Sequence, residues 1–248
     1  MYRRSTLLAL LALLALASPP AATAPVVVST LGSWDGSSSI GDFGSSGFSS
    51  FGQSVLAPVG TNRLTSFTFE LSDAIQGSFS TPNGIVPGVP VPVQFHANVV
   101  QFNPANRTIF GPVLYASDVI TVPLTDALAF SAYTFSPDIA VTSGASYLLF
   151  LFADNYTLDA PNDSRLRLGS SNTNVYAGGG YAYHFPADGD FNSLFTGSWT
   201  GGTVAFPDLA FSATFDQVDV AAVSEPGTLA ALALGLAMLG AARRRQGG

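Results

Sequence analysis

The sequence predicts an all-β chain, an antiparallel β-sandwich of jelly-roll type, flanked by an N-terminal signal helix and a C-terminal transmembrane helix. Three observations predict it. Apolar and polar residues alternate with period two in Phe67-Thr68-Phe69-Glu70-Leu71, in Val93–Val99 and in Leu209–Phe215, the pattern of strands with one face on a core. Turn residues punctuate these runs at Pro82-Asn83-Gly84, Asn103–Asn106, Ser143-Gly144, Pro161-Asn162-Asp163 and Gly178–Gly180, which suits roughly ten strands in a sandwich. Between the two ends, no stretch carries a convincing helical period.

In chain order, Met1-Tyr2-Arg3-Arg4, an apolar run from Leu7 to Ala17 and Ser18–Ala24 form the basic, apolar and small-residue parts of a secretory signal. The apolar run is shorter than the about 20 residues of a membrane span. Cleavage after Ala24 fits the small-residue rule, although Pro25 is an awkward successor, and a cut near Ala17 is the alternative. Residues 1–24 are thus assigned to the signal, 25–222 to the sandwich and 223–248 to a tail. An uncleaved anchor and twin-Arg export from Arg3-Arg4 are the rival readings of the leader.

Within the domain, a Gly/Ser-rich stretch (Gly32 to Ser50) precedes the strands. Leu71, Phe95 and Phe211 are expected to face the core, each burial stabilising by about 1.5–3 kcal/mol before entropy is subtracted. Val93–Val99 alternates cleanly, and the phase slips at Val100 and Phe102 as at a bulge. Tyr147–Phe152 is apolar throughout and reads as a central strand buried on both sides. Pro87, Pro90 and Pro92 alternate with Val, pointing to an edge or an extended linker.

At the C-terminus, Val223-Ser224-Glu225-Pro226 precedes an apolar run to Ala242 and then Arg243-Arg244-Arg245. About 15 apolar residues at 1.5 Å each make a marginal span of about 22 Å. Its leucines supply only about −0.3 to −0.6 kcal/mol apiece to insertion. The three arginines are expected to stay on the cytoplasmic side, which sets the topology and places the domain across the membrane. Pro226 biases Glu225 to an extended conformation, a shape that proteases accept.

This tail resembles the PEP-CTERM sorting signal of Gram-negative bacteria, departing from its usual Val-Pro-Glu-Pro at Ser224; the same tail family has been labelled after ice-binding proteins. The resemblance implies an exported protein held transiently in the inner membrane, with an exosortase-type membrane protease as partner. The cell envelope or extracellular matrix, with its polysaccharide, is the implied destination. Phe51–Val55, Leu64–Phe69, Gly111–Tyr115, Val175–Gly179, Asp190–Leu194 and Asp208–Phe211 resemble an exported β-sandwich domain often found with such tails. That resemblance lends a fold and no catalytic role.

Composition narrows the function. The domain holds four arginines, no lysine and fifteen carboxylates, a formal charge of −11, so it has no cationic footprint for nucleic acid. With no cysteine, disulfides, thiolate nucleophiles and Cys-bound zinc are excluded. His96, between Gln94 and Asn98, reads as an exposed strand residue. His184 lies among aromatics without a nucleophile motif, and Glu70 is the domain's one glutamate, so no catalytic residue is assigned and the chain is read as a non-enzyme. Asp188 and Asp190, with Asp208 or Asp154, offer oxygen ligands for Ca²⁺ or are solvated turn carboxylates. Tyr181, Tyr183 and Trp199, with Trp34 and Tyr176, are either stacking platforms for sugar rings or packing at the sandwich ends.

Overall fold

The computed structural model describes residues 24–44, 48–76, 78–81, 84–87, 91–125, 127–156, 164–185 and 190–217, all within the compact unit Thr23–Gln217. Its early strands are β1 (Val26–Ser29), β2 (Ser39–Gly44), β3 (Ser50–Leu56), β4 (Arg63–Ser72), β5 (Ile75–Gln76), β6 (Ser78–Thr81) and β7 (Gly84–Pro87). The middle strands are β8 (Val93–Asn103), β9 (Thr108–Ala116), β10 (Ile120–Val122), β11 (Phe130–Phe135), β12 (Ile139–Ala140) and β13 (Ser146–Ala153). Last come β14 (Ser164–Gly169), β15 (Tyr181–His184), β16 (Thr200–Gly201) and β17 (Phe211–Asp216). The only helical segments among the described residues are two 3-10 turns, η1 (Leu31–Ser33) and η2 (Phe191–Phe195).

All the named strand pairs are antiparallel, and apart from β6 and β7 they form two sheets. In sheet A the order is β1-β17-β4, with β11 and β12 on the far edge of β4 and β14 joining at Leu168↔Leu71 to carry β2 and β5. Sheet B runs β10-β8-β13-β3-β15-β16, with β9 also on β8. β6 and β7 pair with each other as a separate two-stranded sheet, in register from Ser78↔Pro87 to Thr81↔Gly84.

Alternation explains the main core. Phe67, Phe69 and Leu71 of β4 and Phe211, Ala213 and Phe215 of β17 meet Val93, Phe95, Ala97 and Val99 of β8 and Leu149 and Leu151 of β13 in one buried cluster. Phe95 sits edge-on to Phe43 at 5.8 Å and to Tyr133 at 5.8 Å, tying sheet B to sheet A. Leu71, Phe95 and Phe211 are each fully buried, as their pattern predicts.

β13 is central, paired to β3 on one edge and β8 on the other. Its Leu148, Phe150 and Phe152 face outward and are nevertheless buried, in a second cluster with Val100, Phe102, Ile109, Ala182, Leu194 and Trp199. The irregularity expected at Val100 is present, on one edge of β8 only. The strand pairs with β13 without interruption from Phe95 to Gln101. Its apolar residues change side at Val100 because the outer face is covered from there on. The register shifts lie in the pairing with β9, whose Gly111, Pro112 and Leu114 are the extra residues. A correction is β2, which forms inside the Gly/Ser-rich stretch.

Candidate functional site

Val223, Ser224, Glu225, Pro226, the arginines 243–245 and Asp188 lie outside the described residues. Asp190 caps η2: its Oδ1 accepts the Asn192 backbone N–H at 2.9 Å and the Asn192 amide at 3.0 Å. Asp154 lies 2.8 and 3.0 Å from His96 Nδ1 through its two oxygens. Asp208, fully buried, accepts from the Val175 and Tyr176 backbone N–H groups at 2.7 Å each and from the Gln53 amide at 2.8 Å. Burial raises its carboxyl above the usual range, outweighing those three donors. The folded chain thus gives these aspartates separate structural partners. Among the described residues, no three His, Asp or Glu side chains stand together as a metal site.

The aromatic candidates divide. Tyr181 and Tyr183 stack at 6.1 Å on one face of β15, with Tyr183 against Phe51 at 5.6 Å and Tyr181 edge-on to Phe206 at 5.4 Å. Both are half-buried against the main core. Trp199 is a correction: it is 1% exposed and packs on Phe150 at 5.3 Å and His184 at 5.7 Å. Its indole N–H donates to the Leu194 carbonyl at 3.2 Å. It seals the outer cluster and offers no ring to a sugar. Tyr176 is spent on the chain as well, its hydroxyl accepting the Leu56 N–H at 2.9 Å. His96, expected in solvent, is covered by Phe152 at 5.7 Å and Phe191 at 5.4 Å.

Trp34 stands beside an open cleft on the outer side of sheet A. Asp35 builds the turn that follows it, accepting the Ser37 and Ser38 N–H groups at 2.8 and 2.6 Å and both serine hydroxyls at 3.1 and 2.6 Å. The Trp34 indole N–H donates to the Ser38 carbonyl at 2.7 Å, and its ring meets Phe130 edge-on at 5.2 Å. Gly169 of β14 allows this: a Cβ there would stand 2.9 Å from the indole. Two residues before it on β14 is Arg167, whose backbone N–H donates to the Ser72 hydroxyl at 2.9 Å.

Gly36, Ser37, Ser39, Leu128, Ala129, Phe130 and Arg167 line a cleft of ≈ 340 Å³. Leu128 holds φ +53°, a left-handed conformation that is strained for a branched side chain. The ion pairs among the described residues are Arg63–Asp138, Arg165–Asp42 and His96–Asp154, so Arg167 has no carboxylate partner there. The sequence marks Trp34 as aromatic and Arg167 as one of four domain cations, but three distant segments make the cleft, and no local spacing announces it. No protein-family model matches this chain, and no curated protein matches it.

Proposed function

We propose that this chain is an exported protein of the bacterial envelope or extracellular matrix. Its signal peptide directs export, its C-terminal helix halts in the inner membrane, and an exosortase-type protease processes it near Glu225-Pro226. The released domain, jelly-roll-like in topology, is structural or adhesive and has no catalytic role. One observation carries the reading: Val223-Ser224-Glu225-Pro226, a short apolar run and Arg243-Arg244-Arg245 follow one another at the end of the chain. The outer face of sheet A supports an adhesive role. Register aligns Thr134, Thr68, Ser212 and Ser29 across four strands, with Thr68 and Thr134 hydroxyls 2.8 Å apart, an uncharged row of hydroxyls suited to hydrated polymers.

Replacing Glu225 and Pro226 together by alanine is expected to leave the tail attached, read as a heavier mature protein by mass spectrometry. An unchanged mature C-terminus would overturn the proposal. The cleft at Arg167 favours a second reading, a carbohydrate-binding module with or without Ca²⁺. Screening the protein against envelope and matrix glycans, with and without EDTA, tests it. Absence of binding in both conditions would rule it out.

A further inference from the structure

We infer that the cleft binds a carboxylated sugar, with the Arg167 guanidinium pairing the ligand's carboxylate. The inference deepens the carbohydrate-binding reading and rests on it. Among the described residues Arg107 and Arg167 stand in no ion pair, although the domain's fifteen carboxylates outnumber its arginines almost fourfold. Arg63 and Arg165 both hold aspartates. Of Arg107 and Arg167, the second lines a cleft, and Asp35, the acid of the 34–39 loop, accepts hydrogen bonds from Ser37 and Ser38.

The guanidinium presents a planar fork that matches a carboxylate through two parallel hydrogen bonds. The rest of the lining has the composition of a sugar subsite. Phe130, steadied by Trp34, and Leu128 give apolar surface for a pyranose face, and Ser37 and Ser39 give hydroxyl partners. At ≈ 340 Å³ the cleft is at the small end of the range for small-molecule sites, which fits one or two sugar units rather than a long chain. The negative domain repels polyanions at long range, so the acidic ring must be recognised by direct contact.

The test measures binding of digalacturonate, and of its methyl ester, to the full chain in detergent by isothermal titration calorimetry. The acid form is expected to bind, and both esterification and Arg167→Gln to weaken binding about tenfold or more, the loss of a charge-assisted pair. Arg167→Lys, which keeps the charge and loses the fork, is expected to fall between. Arg167 is exposed, so the variants are expected to melt like the parent, a control run beside each titration. Equal binding of acid and ester overturns this inference and leaves the carbohydrate reading standing. Acid-selective binding unaffected by Arg167→Gln overturns the assignment to this cleft. Failure of both compounds to bind overturns the inference, while the glycan screen decides the wider reading separately.

Discussion

Asp208 and Asn98 are both fully buried polar side chains, and they differ in what surrounds them. Asp208 has three donors on its two oxygens, and Gln53, whose Oε1 accepts the Leu209 N–H at 3.0 Å, is fixed in orientation by both contacts. This node fastens the 173–176 loop and the start of β17's approach to the middle of β3. Asn98 has neither its amide nitrogen nor its carbonyl oxygen bonded to the protein. It lies opposite Phe150 on the covered face of sheet B. Burying a polar group without a partner costs about 1–3 kcal/mol, and replacing it by an apolar group of the same outline removes that cost. Asn98→Leu, which keeps the branched shape, is expected to raise unfolding free energy by about 1–2 kcal/mol, read from urea denaturation. A loss of stability would mean that the amide is satisfied in solution.

At the scale of elements, the strands whose one face meets the core are the ones the sequence makes legible. β17 and the Phe67–Leu71 part of β4 alternate because their other faces meet solvent, and β13 announces itself by having no polar position between Tyr147 and Ala153. β2 is hidden because Gly41 adopts φ +77° and the register shifts between Leu166 and Leu168 of its partner, so Ile40 and Phe43 do not alternate. The outer cover of sheet B is hidden for another reason. Gln94, His96 and Asn98 look like a solvent face, and only the spacing Phe191, Leu194, Phe195, Trp199 hints at the segment that lies over its outer cluster. The candidate cleft is less legible still, since residues 34–39, 128–130 and 167 meet only through pairing of β14 and β11 with β4. If Trp199 seals the outer cluster, Trp199→Ala is expected to cost about 3–5 kcal/mol. Phe110, 49% exposed on β9, is expected to cost less than about 1 kcal/mol when truncated to Ala. Equal losses for the two aromatics would remove the case for a second core.

At the scale of the whole molecule, the excess of carboxylates over arginines sets how stability depends on pH. Crowded negative charge at neutral pH opposes the compact state. Burial raises Asp208 above its ordinary value of 3.8 and Glu70 above 4.5. Between those ordinary values and the higher folded ones, the folded chain holds more protons than the unfolded chain, so stability falls as pH rises through that window. Asp35 and Asp138 work in the opposite sense. Donation from Ser38, then Ser37, holds Asp35 far below 3.8, and the Arg63 hydrogen bond lowers Asp138. Their contribution is present above 3.8 and is lost as pH falls through the lower folded values. The two pairs together place the stability maximum on the acid side of neutrality, at about pH 4–5. The urea midpoint of the full chain in detergent, followed by far-ultraviolet circular dichroism, is expected to climb from pH 7 to that maximum and drop below pH 3. Asp208→Asn is expected to flatten the limb above the maximum, and Asp35→Asn the limb below it. A midpoint rising steadily from pH 4 to pH 7 would show that ion pairing outweighs buried and crowded charge in this fold.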